Sequence, residues 1–380
     1  MADHSLVYDA SSLLARPPTG VTRYTRELLA SLLALGDAEA SRSTPRFALT
    51  VAAHRRLAGE ILGFAPHLAS PESKRWWWMQ VHLPRQLARV RPALCHFTNG
   101  FAPLLCPVPY VLTVHDTSLW RLPMTQPWRS LIAIRPLLPA IVRRAARVIV
   151  PSRAVALELE ALARIPGTRI DVTPEGVDAR FSRVAAEAEL DRVRRSYALD
   201  RPFVLAVGTQ EPRKNLERLI QAFLMARPAI GATELVLVGH AGWRRRRLRA
   251  LMEQPDVRRT VRSIGFVPDA DLPALYTLAA AVAMPSLYEG FGLPVLEAMA
   301  CGTAVITSRG SGLQEVAGDA AVLVEPERVD SIAEGLVTLL TDPSLRDELA
   351  DKGVRRARPF TWAQTAASTR DAYVRALTRA

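Results

Sequence analysis

Pro285-Ser286-Leu287-Tyr288-Glu289-Gly290-Phe291-Gly292-Leu293-Pro294-Val295-Leu296-Glu297-Ala298-Met299-Ala300-Cys301-Gly302 is the stretch on which the reading of the fold turns. The residues before it, 279–284, form an unbroken apolar run of the kind found in a parallel strand covered on both faces. Pro294 suits the first turn of a helix, where a missing N–H costs nothing, and Gly302 suits the position just past its end. The segment therefore reads strand, glycine loop, short helix. Glu289 falls beyond the carboxyl end of the strand, where open α/β sheets bind ligands, and Glu297 falls about one turn into the helix. Backbone N–H groups of residues 290–293 are expected to donate to a polyhydroxylated or anionic ligand.

Working outward, the same layout occurs twice. In the first half, apolar or β-rich runs stand at 6–9, 47–51, 94–97, 110–114, 148–150 and 170–172, and in the second at 203–207, 235–238, 263–267, 279–284, 304–307 and 321–324. Helix-period segments alternate with them, as in 22–35, where leucine occupies positions 28, 29, 32, 33 and 35. Alternation of this kind predicts doubly wound parallel sheets. A chain of 380 residues exceeds what one core serves. Two Rossmann-like domains facing a cleft are expected, 1–185 and 186–361, with a terminal helix over 362–380 packing back on the first. The arginine-rich helical stretch 179–200 marks the boundary.

Composition excludes several classes. With 49% hydrophobic and 23% charged residues the chain is an ordinary globular protein. Cys95, Cys106 and Cys301 lack metal-ligand spacing and imply a reducing compartment without disulfides. The N-terminal residues lack a basic leader, and no apolar run approaches the ~18 residues of a spanning helix. A cytoplasmic location is expected, with peripheral contact to the inner face of the plasma membrane open. The formal charge of +12 is almost all arginine, since lysine occurs only at Lys74, Lys214 and Lys352. No nucleic-acid module accompanies it. Lys74-Arg75-Trp76-Trp77-Trp78 joins cations to tryptophans, which suits an anionic membrane surface; internal packing of Trp76 to Trp78 is an equal reading.

Other chemistries lack their motifs. The run 207–215 holds one glycine where a dinucleotide fingerprint needs three, and no phosphate loop or nucleophile elbow is present. Asp269-Ala270-Asp271 imitates a D-x-D metal site, but Asp271 is better read as an N-cap before Pro273. Arg213 and Lys214 follow the first strand of the second half. A guanidinium fork and an ammonium together suit a diphosphate.

These motifs resemble glycosyltransferase family 4, retaining enzymes of the GT-B fold. Glu289 and Glu297 match its E-x7-E signature, and the likeness extends over 20–28, 113–116, 174–178, 211–216, 265–267 and 315–321. The Glu-Pro-Arg-Lys-Asn and Tyr-Glu-Gly-Phe-Gly wording is most similar to bacterial mannosyl- or rhamnosyltransferases that build surface polysaccharide such as O-antigen. The resemblance implies a nucleotide-diphosphate sugar as co-substrate, GDP-mannose favoured, no metal or other cofactor, and a saccharide or lipid-linked acceptor. It implies that Glu289 serves the donor sugar, that Gly290, Phe291, Gly292 and Leu293 hold sugar and phosphate through backbone amides, and that Glu297 binds ribose. Val267 would meet the base, Arg213 and Lys214 the diphosphate, Gly20 the phosphate by close backbone approach, and His115 the sugar or acceptor. Two positions depart from the family pattern: Thr209 where relatives carry arginine, and Glu175 where they carry asparagine. A sugar phosphorylase of the same fold and a non-catalytic nucleotide-sugar-binding scaffold in a membrane assembly complex are the alternatives. Specificity is expected in loops such as 65–80 and 98–107.

Overall fold

A computed structural model describes residues 4–38, 46–55, 57, 67–69 and 74–378, so part of the 65–80 loop and residues 379–380 of the terminal segment lie outside the described residues. The chain divides into two compact units. The first comprises residues 1–121, 128–176 and 360–380, and the second 122–127 and 177–359.

The first unit holds β1 (His4–Asp9), β2 (Phe47–Ala53), β3 (His67–Ala69), β4 (Leu94–Phe97), β5 (Tyr110–Thr113), β6 (Arg147–Val150) and β7 (Ile170–Val172) in one sheet, ordered β3-β2-β1-β4-β5-β6-β7. All its pairings are parallel. Successive residues face opposite sides: Leu6 and Tyr8 join Leu94, Val111 and Ile149 under the helices Gly20–Ala38 and Trp362–Leu377, while Val7 joins Cys95, Leu112 and Val148 on the other side. The terminal helix thus completes a face of the first sheet. Its fit is tight at Gly176, where a Cβ would stand 2.3 Å from the backbone nitrogen of Trp362.

The second unit holds β8 (Phe203–Val207), β9 (Glu234–Val238), β10 (Val261–Gly265), β11 (Ala281–Met284), β12 (Val305–Ser308) and β13 (Ala321–Val324), ordered β10-β9-β8-β11-β12-β13 and parallel throughout. The fold class is therefore α/β with two doubly wound parallel sheets. Strand order reverses between β1 and β4 in the first sheet and between β8 and β11 in the second. Such switch points are where adjacent strand exits part and leave room for a ligand.

Two details differ from the sequence expectation. The chain passes into the second unit at 176/177, ahead of residue 185, because Leu190 and Val193 of the helix Glu187–Tyr197 are buried and Val184 donates its N–H to Thr277 Oγ1 at 3.1 Å. Asp271 stands before the helix Leu272–Leu278 but does not cap it. Its carboxylate accepts from Tyr197 Oη at 2.7 Å and from Arg192, which holds its pKa down against the opposing effect of burial.

Candidate functional site

In the second unit the two strands flanking the switch point deliver the charged residues. β8 leads into Gly208, at φ +147°, where a Cβ would lie 3.0 Å from Lys214 Cε; glycine leaves room for the lysine to fold back across the loop. A single turn, Pro212–Lys214, ends in Asn215 at φ 60°, ψ 30°, a left-handed conformation that asparagine tolerates. Its Nδ2 donates to the carbonyl oxygens of Pro285 (2.9 Å) and Pro326 (2.6 Å), and the N–H of Leu287 donates to Arg213 O at 2.8 Å. The loops after β8 and β11 are thereby stapled together.

The staple brings Glu289 between two cations. Arg213 donates through Nη1 to Glu289 Oε2 and to Tyr288 O (3.0 Å), and through Nη2 to Glu211 Oε1 (2.6 Å). Lys214 Nζ stands 2.7 Å from Glu289 Oε1. Glu289 is 7% exposed. Burial alone would raise its pKa, but the Arg213 and Lys214 charges outweigh burial and hold it at about 2. Burial raises Glu211, with the neighbouring Glu289 charge adding to the rise and Arg213 and Lys214 opposing it. The resemblance gives Glu289 the donor sugar and Arg213 and Lys214 the adjoining diphosphate. The structure joins all three in one ion cluster, because two anion-seeking side chains buried beside a carboxylate pair with it.

The glycine loop is shaped by a close approach. A Cβ on Gly312 would lie 2.1 Å from Gly290 O, and the Gly312 N–H donates to Glu289 O at 3.0 Å. Gly292 has φ +122° and begins the helix Leu293–Ala300. Glu297 is not an exposed helix glutamate: it is 2% exposed, and its Oε2 accepts from Tyr276 Oη at 2.8 Å. Its charge adds to burial in pushing the Cys301 thiol up. Val267 is buried just beyond β10, next to Phe266, whose half-exposed ring stacks on His240 at 4.4 Å.

The first unit carries a different cluster. Gly20 opens the helix Gly20–Ala38 with nothing within 4 Å of where a Cβ would be, so no neighbouring group within the described residues requires a glycine there. His115 follows β5. Its Nε2 lies 2.9 Å from Thr98 O and its Nδ1 3.0 Å from Glu175 Oε1, and Tyr24 presents its ring edge-on at 4.5 Å. A carbonyl oxygen only accepts, so Nε2 carries a proton. Against an ionised Glu175, Nδ1 carries the other. Burial would lower the His115 pKa, but the Glu175 bond and charge, the Thr98 carbonyl and the Asp116 charge together raise it. Nearby His96 shows the opposite balance: fully buried, bonded to Tyr373 Oη (2.7 Å) and Thr113 Oγ1 (2.8 Å), it is held neutral with a pKa lowered to about 3 by burial and by His115. Sequence reasoning missed Glu175 as the partner of His115. Its only trace was the glutamate in Pro174-Glu175-Gly176-Val177-Asp178.

The tryptophan triplet divides. Trp78 is fully buried, while Trp76 and Trp77 are each 52% exposed. A helical turn rotates each successive side chain by about 100°, so three consecutive tryptophans do not share one face. Among the described residues no helix is long and apolar enough to cross a membrane, and no group of three or more His, Cys, Asp or Glu side chains is placed to hold a metal ion.

Comparison with known proteins follows the division of the chain. Residues 18–181 match the family described as Glycosyltransferase Family 4, and residues 189–356 the one described as Glycosyl transferases group 1. The O-antigen chain mannosyltransferase B of Escherichia coli is 34% identical over 265 residues, which are 69% of each protein. Sucrose-phosphate synthase from Thermosynechococcus elongatus superposes with a TM-score of 0.77 at 21% identity, over 99% of this chain and 100% of that one. Anabaena HepE, solved with UDP and glucose, superposes with a TM-score of 0.74 at 19% identity, over 98% and 100%.

Proposed function

Because the chain belongs to glycosyltransferase family 4, we propose that it moves mannose, with retention at the anomeric carbon, from GDP-mannose to a saccharide or lipid-linked acceptor in surface-polysaccharide synthesis. Hexosyl transfer is the activity of the family and of its mannosyltransferase relative. Mannose as the sugar rests on that relative, and GDP on the sugar.

The observation that carries the reading is the Arg213–Glu289–Lys214 cluster at the switch point between β8 and β11. Breaking a glycosyl phosphate builds positive charge on the sugar ring and negative charge on the departing diphosphate. A site with a fixed carboxylate beside fixed cations meets both. In this reading Glu289 faces the sugar, and Arg213 and Lys214 take up the charge of the leaving diphosphate without a metal ion. The backbone of Gly290, Phe291, Gly292 and Leu293 positions the sugar and phosphate. Glu297, braced by Tyr276, receives the ribose, and the main chain of Val267 the base. Retention follows from departure and attack on the same face of the ring. His115 enters as an imidazolium held by Glu175 and Thr98, a positive group rather than a base.

A thermal-shift comparison of GDP-mannose, UDP-glucose, ADP-glucose and dTDP-rhamnose tests the donor, because a ligand that binds only the folded chain raises its melting temperature by mass action. A rise confined to GDP-mannose is expected; a rise confined to another donor overturns mannose. We further propose that Trp76 and Trp77, with Lys74 and Arg75, dock the chain on an anionic membrane at the cytoplasmic face. Flotation with phosphatidylglycerol liposomes should fall when Trp76 and Trp77 are replaced by Ala, and unchanged flotation rejects the docking.

A further inference from the structure

The second unit contains a cavity of about 750 Å3 whose lining includes Glu211, Asn215 and Leu287 but not Arg213, Lys214 or Glu289. That volume falls within the ~300–1,000 Å3 of small-molecule sites. Its apolar lining includes Trp243, Met124, Leu216 and Leu248. Its largest side chain is fixed, since the Trp243 indole N–H donates to Thr125 O at 2.7 Å.

The charged part of the lining is mostly cationic. Arg218, Arg244, Arg245, Arg246 and Arg247 face two acids, Glu211 and Glu217, and Glu211 is already paired with Arg213. None of these five arginines has a carboxylate partner among the described residues. Three are aimed by neutral groups: Arg218 by Asn215 Oδ1 (3.0 Å), Arg244 by Met124 O, and Arg245 by Gln210 Oε1 (2.8 Å). The Gln210 amide is itself set by donating to Ser263 Oγ at 2.9 Å. Arg244 sits at φ 53°, a left-handed backbone that costs a non-glycine residue about 1 kcal/mol or more and that the Trp243 and Arg244 bonds to 124–125 retain. The first turn of the fifteen-residue helix Leu216–Ile230 lines the same space and adds its positive end.

We propose that this cavity binds a phosphate ester carried on an apolar body: arginine forks take the phosphate oxygens, and the Trp243 wall covers the body. The site goes beyond the sugar-transfer reading and is tested by binding alone. Farnesyl diphosphate, inorganic diphosphate and farnesol would be titrated calorimetrically into the full chain. Farnesyl diphosphate should bind at least tenfold more tightly than either other probe. Arg246→Ala/Arg247→Ala should weaken it at least tenfold, and Trp243→Ala should remove its advantage over inorganic diphosphate, while Lys214→Met leaves it within threefold. Absence of binding, equal binding of inorganic diphosphate, or a loss produced by Lys214→Met but not by the arginine pair overturns the proposal.

Discussion

In the second unit a glutamate is held between an arginine and a lysine; in the first a histidine is held by a glutamate and a carbonyl. Both clusters sit in loops beyond the carboxyl ends of parallel strands, and both bury an ion pair. They differ in what proton concentration can do to them. The Glu289 carboxyl, held at about 2 by Arg213 and Lys214, keeps its charge throughout the neutral range. The His115 imidazole, raised by its Glu175 bond and charge against burial, is the group whose charge pH can change. One sheet therefore presents a permanent charge pattern, and the other a conditional one.

The signs follow. Glu289 is depressed from 4.5 to about 2, so its contribution to stability is complete above 4.5 and is lost as pH falls through that window. His115 is raised above 6.5, so its contribution is complete below 6.5 and is lost as pH rises through the folded value. His96, lowered to about 3, contributes fully above 6.5 and progressively less as pH falls below it.

Removing the permanent charge should have the larger effect. Glu289→Gln is expected to lower kcat by about 10²–10³-fold, the cost typical of losing one preorganised charge-stabilising group, while the thermal shift from GDP survives. Parental turnover in Glu289→Gln would show that the cluster is structural and remove the basis of the proposed mechanism. The same substitution leaves Arg213 and Lys214 short of an anion in a buried site, so a fall in melting temperature is expected alongside. The conditional charge should respond more gently. Glu175→Gln keeps an acceptor for Nδ1 but removes the charge, so the His115 titration midpoint, read by NMR, should fall by about one to three pH units, and any limb of the rate profile that it governs should move with it. An unmoved midpoint would mean that the Thr98 carbonyl and Asp116 alone set the imidazolium.

Much of this was legible in the chain because continuous apolar runs report strands covered on both faces. Of the thirteen strands among the described residues, twelve overlap the apolar or β-rich runs, although Ile170–Val172 and Val261–Gly265 include polar residues and are only partly covered. β3, three residues at a sheet edge, offers too little sequence for any period to show. Arg213, Lys214 and Glu289 stood out because each follows a strand exit. Their mutual pairing did not, since a contact across 76 positions between Arg213 and Glu289 depends on the Asn215 staple rather than on any local pattern. Glu175 was visible as a residue out of keeping with its neighbours. Its meaning needed the 60-residue return of the chain to His115. Trp78 shows the converse: composition grouped it with Trp76 and Trp77, and helical rotation separated it.

The helix Trp362–Leu377 belongs to the first unit although 183 residues of the second, 177–359, precede it. Tyr373 fills the space beside His96 and Phe47, and Gly176 admits the chain's return at Trp362. A ribosome therefore delivers this protein out of order. The sheet that holds β1 waits for the helix Trp362–Leu377 until residues 177–359 have emerged, whereas the strands and helices of 177–359 are complete before that helix. During synthesis the later-encoded unit can finish first, and a nascent chain stopped short of residue 362 exposes the face bearing Leu6, Tyr8 and Val111 to whatever binds unfinished hydrophobic surfaces.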